Sequence, residues 1–147
     1  MLKLTVLGGL DQTFISKLKP LIAAEIETAL DKSAAAILNQ LRTTYLAEQD
    51  PNGTPWIPSK AGIKRRKKGG TGTLFDTGRL YRSIQLTKSE PGLRVIGTDV
   101  PYGKQLQDGT DLSGIPRPFL DVTPQATMMA VKTFEFQINK MLKGVNV

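Results

Sequence analysis

Ile84-Gln85-Leu86-Thr87-Lys88-Ser89-Glu90-Pro91-Gly92-Leu93-Arg94-Val95-Ile96-Gly97 decides the fold class of this chain. Ile84 and Leu86 alternate with Gln85 and Thr87, the two-residue period of a strand. Ser89-Glu90-Pro91-Gly92 then reads as a turn, because Pro presets φ and Gly accepts positive φ at no steric cost. Leu93 to Gly97, with Val95 apolar, is the returning strand of an antiparallel hairpin. Towards the N-terminus, Leu2, Leu4 and Val6 alternate with Lys3 and Thr5, a short half-buried strand that Gly8-Gly9 ends. Asp11 can cap a short helical turn carrying Phe14, Ile15 and Leu18, and Pro20 suits the first position of a longer helix. Ile22, Ile26, Leu30, Ala34, Ile37, Leu41 and Tyr45 recur at three- and four-residue steps to about residue 46. That stripe predicts a helix covering a sheet; heptad spacing is not sustained, which disfavours a coiled-coil partner helix.

On the C-terminal side, Pro101 to Leu106 reads as a short helix and Gly109 to Gly114 as a loop. Thr123-Pro124 opens a second long helix, with Ala126, Met129 or Ala130, Phe134, Ile138 and Met141 or Leu142 as its apolar stripe and Gly144 as its stop. Met128 and Met129 read as gap-filling core. Strands and helices do not alternate as βαβ units. The expectation is therefore α+β: a small mainly antiparallel sheet packed against a long N-terminal helix and a C-terminal helix, both on one face of it. Residues 1–147 are expected to form a single domain, within which 50–73 is a long irregular basic loop interrupted by Pro51, Pro55, Pro58 and Gly69-Gly70-Thr71-Gly72. That glycine run lacks the Gly-Lys-Ser/Thr ending of a phosphate loop.

Composition narrows the chemistry. The 147 residues contain no Cys and no His, which rules out disulfides and thiolate chemistry and removes the commonest general base and transition-metal ligand. Asp50, Asp76, Asp99, Asp108 and Asp111 stand singly on expected turns, without paired-carboxylate or EF-hand spacing. The expectation is a protein that is not an enzyme and carries no cofactor or metal. No apolar run reaches membrane-spanning length and Met1 to Val6 lacks signal-peptide organisation, so a cytoplasmic protein without a membrane partner is expected. Formal net charge is +7, and Lys60, Lys64, Arg65, Arg66, Lys67 and Lys68 supply much of it in one stretch. They are the candidate contacts for DNA or an acidic partner, against the plainer reading of a solvated basic loop.

Four short blocks carry the strongest signal. They are Asp50-Pro51-Asn52-Gly53-Thr54-Pro55-Trp56; Leu74 through Ile84; Gly97-Thr98-Asp99-Val100-Pro101-Tyr102 with Asp108-Gly109; and Pro116-Arg117-Pro118-Phe119-Leu120. In this order they resemble the virion-morphogenesis (tail-completion) proteins of tailed bacteriophages over roughly residues 45 to 122. Trp56, Thr77, Gly78, Leu80, Ser83, Ile84, Tyr102, Gly109, Arg117, Pro118 and Phe119 match the family pattern. Gly103 stands where the family usually has Ala, and Leu106 where it usually has His, which argues against a required imidazole there.

From the residues themselves, Trp56 is expected to anchor its loop to the core. Asp76 or Thr77 should cap a helical turn, with Gly78 permitting close packing and Leu80 entering the core beside Phe119. Arg117 should reach a carboxylate or a carbonyl. The resemblance implies a structural virion protein of the neck or tail, assembled in the host cytoplasm. Its copies would form a ring around the DNA channel, with a hexamer as the leading arrangement. Neighbouring neck and tail proteins, and non-specific contact with passing DNA, are the implied partners. The alternative is a small basic cytoplasmic nucleic-acid-binding protein, in which Trp56 and Tyr81 beside the basic stretch would bind single strands.

Overall fold

Tyr45 is the residue around which the chain is folded. In the computed structural model, which describes residues 12–144, four aromatic rings surround it. Trp56 stands edge-on at 5.2 Å between centroids, Phe119 at 6.0 Å and Phe75 at 6.5 Å, and Tyr81 is tilted at 5.6 Å. Leu80, Ile84 and Val100 complete the buried cluster. Offset and edge-on pairs align the positive rim of one ring with the negative face of the next, adding to the apolar burial that drives the packing. Each of the four sequence blocks thus sends at least one side chain into one core.

Tyr45 belongs to helix α1 (Gln12–Leu46), which at 35 residues is about 52 Å long at 1.5 Å per residue. The expected Asp11 cap lies outside the described residues; from Gln12 onward the expected short turn and the helix expected to start at Pro20 are one continuous helix, with Pro20 inside it. Proline's fixed φ suits a helix, so the chain continues through this position at the loss of one backbone hydrogen bond. Glu48, at φ 56°, ends the run. The N–H groups of Ala47, Glu48 and Gln49 return to the last carbonyls of α1, as a left-handed cap requires.

Helix α2 (Lys60–Lys67) follows, then α3 (Arg79–Ser83), strands β1 (Gln85–Glu90) and β2 (Leu93–Gly97), α4 (Gly103–Asp108) and α5 (Pro124–Gly144). The fold is α+β, with one two-stranded antiparallel sheet among the described residues. Leu86 pairs with Ile96 and Lys88 with Val95, so Thr87 is the extra residue of a bulge. The expected Leu2–Val6 strand lies outside the described residues.

The hairpin packs on α1, but α5 packs along α1 rather than on the sheet. A two-stranded sheet is too narrow to bury two long helices, and the apolar stripes of the helices satisfy each other instead. Polar groups fix the helix pair. Ser33 Oγ donates to Ala29 O on its own helix and lies 3.0 Å from Ala130 O of α5. The buried Gln137 amide accepts from Lys32 Nζ at 2.6 Å and donates to Glu25 Oε1. Met128 is 59% exposed, not core filling; its helix turns it away from α1, whereas Ala126 on the opposite side is buried.

Candidate functional site

Residues 50–73 are not the irregular loop that their Pro and Gly content suggests. Asp50 carboxylate Oδ1 accepts from the N–H groups of Asn52 and Thr54 at 2.9 and 2.8 Å, closing a tight turn through Gly53 at φ 89°. The turn drops Trp56 into the core, where its indole N–H donates to Pro118 O at 2.8 Å. Ser59 then caps α2, its Oγ accepting from Gly62 N at 2.9 Å. Gly62 faces the body of the protein: a Cβ there would lie 2.8 Å from Thr73 N. Short capped helices of this kind escape a reading by apolar periodicity, because α2 has almost no apolar residues to show one.

The helix separates the basic residues into two groups. Lys60, Lys64, Lys67 and Lys68, at helical spacings of four, three and one, are exposed and form no ion pair among the described residues. They make one cationic face. Arg65 and Arg66 serve the fold instead. Arg65 donates to Gly72 O at 2.8 Å and lies 3.8 Å from Asp76 Oδ1, and Arg66 pairs with Glu48 at the end of α1. Both arginines hold the 68–76 segment against the body.

That segment leads to α3. Its N-cap is Gly78 at φ 75°, with no side-chain cap from Asp76 or Thr77; Thr77 Oγ1 accepts from Arg79 N at 3.3 Å. Left-handed backbone and a close Arg82 guanidinium, 2.9 Å from where a Cβ would lie, explain why glycine stands here. Leu80 is buried, and it and Phe119 both approach Gly103 of α4. A Cβ on Gly103 would lie 3.1 Å from the Thr98 methyl, so the glycine at this alanine position is matched to Thr98. Gly109 ends α4 at φ 72°, and a Cβ there would meet Pro116 N at 2.5 Å.

Arg117 and Phe119 are then fixed by short polar contacts. Arg117 Nε donates to Ile57 O at 2.9 Å and Nη1 to Ser113 Oγ at 3.1 Å. Its partners are a carbonyl and a hydroxyl, not the carboxylate of an ion pair: the nearby Asp111 binds Ser113 Oγ instead. Gln107 of α4 accepts from Phe119 N and Leu120 N and donates to Leu120 O, pairing with an extended segment as a strand would. No sequence motif singled out Gln107; an amide with one acceptor and two donors before a Pro-containing segment is its only signal.

Beside these residues lies an open pocket of about 620 Å³, lined by Arg65, Asp76, Arg79, Tyr102, Leu106 and Arg117 among others. Tyr102 stands half-exposed at its rim, and Leu106 packs against the core. Among the described residues, no group of three or more acidic, His or Cys side chains could hold a metal, and no helix is long and apolar enough to cross a membrane.

Fold and surface together define a small α+β scaffold with an aromatic core, presenting a lysine face and an arginine-lined pocket. The sequence identifies it further: residues 10–134 match the phage virion morphogenesis family, and the chain belongs to that family. The match covers α1 and the four sequence blocks and reaches well into α5. No curated protein and no solved structure matches the chain.

Proposed function

We propose that this protein is a structural component of the phage head–tail joint, completing the tail or neck as a ring of copies around the DNA channel. Its membership of the virion morphogenesis family, which gives it a role in building the virion, carries this reading. The architecture supports it: Arg65 and Arg66 are committed to contacts within the fold, leaving Lys60, Lys64, Lys67 and Lys68 to face outward. Such a face suits phosphates of passing DNA, which need charge rather than base readout, or an acidic ring of a neighbouring neck or tail protein. The role is structural, not catalytic, and requires no cofactor. A hexameric ring is the proposed arrangement.

Phage carrying a nonsense mutation in this gene tests the proposal. Filled heads and separate tails should accumulate, and extracts supplying the protein should join them. A reconstruction of wild-type virions should place a sixfold ring of this chain at the joint. Normal joined virions without the protein would overturn the reading.

A further inference from the structure

Arg117 is 2% exposed, yet none of the ion pairs among the described residues includes it. Its Nε and Nη1 are satisfied by Ile57 O and Ser113 Oγ, while its Nη2 makes no hydrogen bond among those residues. That Nη2 is not sealed from solvent with the rest of the side chain, so it is the part of the guanidinium that opens on the pocket. The pocket it lines contains three guanidiniums, Arg65, Arg79 and Arg117, and two carboxylates, Asp76 and Asp111. Asp76 faces Arg65 at 3.8 Å, and Asp111 Oδ1 accepts from Ser113 Oγ at 2.8 Å. Arg79 and Arg117 are left without an ion-pair partner among the described residues.

Apolar walls surround this charge. Leu74, Leu80, Leu106 and Tyr102 line the same pocket. A duplex or single-stranded backbone carries phosphates on a strongly hydrated convex surface and matches such a recess poorly. A carboxylate side chain beside an apolar one matches both the charge and the walls, and the planar fork of arginine suits it bidentately.

We propose that this pocket is a docking site for an acidic side chain of a neighbouring polypeptide, with Arg117 and Arg79 as its anchors and the leucines taking an adjacent apolar residue. That the occupant belongs to a protein chain follows the assembly role proposed above; the carboxylate site itself rests on Arg117 and the pocket.

The experiment titrates isotope-labelled protein with acetyl-Leu-Glu-Leu-amide and with its glutamine counterpart, following side-chain resonances by NMR. At ~10 mM peptide, enough to fill a site of millimolar affinity, the glutamate peptide should shift Arg117 Nε–H and the Leu74 and Leu106 methyls saturably. The glutamine peptide should bind about tenfold more weakly, the loss of one charge-assisted interaction. Arg79→Ala changes an exposed side chain, so the variant should keep its melting temperature and lose at least ~3-fold in affinity for the glutamate peptide. Equal binding of the two peptides, or no saturable shift, would overturn the proposal. So would tighter saturation of the same resonances by inorganic phosphate or a single-stranded oligonucleotide. Because all arms use isolated protein, a failure here is distinct from a failure of the head–tail joint assignment, which is read in virions.

Discussion

The indole N–H of Trp56 donates to the carbonyl of Pro118 at 2.8 Å, joining positions 62 residues apart. This contact couples the turn after α1 to the segment that carries Arg117 and Phe119. Arg117 returns the link, donating to Ile57 O one residue beyond the tryptophan. The two blocks therefore position each other, and both pack on Tyr45.

Trp56→Phe should separate the polar part of this link from its apolar part. Phenylalanine keeps most of the ring contact with Tyr45 but leaves Pro118 O without its donor. A loss of about 1–3 kcal/mol is expected for an acceptor left unpaired, with further loss from the smaller ring. Chemical denaturation measures it, and an unchanged midpoint would show that the hydrogen bond contributes nothing.

Gly103→Ala should destabilise, although alanine usually favours a helix over glycine by up to about 1 kcal/mol. The new methyl would lie 3.1 Å from the Thr98 methyl. Thr98 cannot readily move, since its hydroxyl contacts Ser83 Oγ at 2.5 Å and accepts from Val100 N at 3.1 Å. Thr98→Ser keeps that hydroxyl and removes the methyl, so the double variant should recover most of the loss. A double-mutant cycle with no coupling between the two sites would refute the account.

How far the sequence foretold this arrangement depends on which interaction set each element. The stripe from Ile22 to Tyr45 and the Pro91-Gly92 turn follow from local periodicity and turn chemistry; the C-terminal helix and the hairpin are where those signals put them, while α1 begins upstream of Pro20 and β1 continues through Ser89 and Glu90. The core positions of Trp56, Leu80 and Phe119 were also legible, as bulky residues set among Gly and Pro. Helix α2 was not, because it is held by a Ser59 cap and by Gly62 against Thr73, contacts that leave no apolar pattern. The docking of α5 on α1 is likewise a tertiary choice that two similar amphipathic stripes do not specify. At the candidate site, the lysines were visible as a charge run; their separation from Arg65 and Arg66 required the helix. The arginine pocket is formed by residues from four separate stretches of the chain and has no linear signature.

Acid should loosen the hairpin from α1. Glu27 Oε1 accepts from Gly92 N at 2.8 Å, and Arg94 pairs with both Glu27 and Asp31. The hydrogen bond from Gly92, then that from Arg94, holds the Glu27 carboxyl below its ordinary value of 4.5. A depressed carboxyl stabilises the fold fully above its unfolded pKa and loses that contribution as pH falls through the folded one. Between neutral pH and about pH 5 the Glu27 contribution should be constant, and it should fade below 4.5. Glu27→Gln should flatten that part of the stability profile. Protection factors of the Gly92 and Leu93 amides, the intrinsic exchange rate at each pH divided by the observed one, check it: protection in the wild type that stays unchanged from neutral pH to below 4.5 would remove the argument.

The lysine face offers a test that divides assembly from folding. Lys60, Lys64, Lys67 and Lys68 are exposed and unpaired among the described residues, so replacing all four with Gln should leave the melting temperature nearly unchanged. Replacing Arg65 and Arg66 instead removes the bond to Gly72 O and the pair with Glu48, and should cost about 1–2 kcal/mol. In phage, the four-lysine variant should join fewer tails to filled heads. The defect should deepen with added salt, because screening weakens whatever attraction remains. Normal yields of infectious particles from this variant would make the lysine face a solvated surface only. An assembly defect confined to the arginine variant would trace to folding of the 68–76 segment instead.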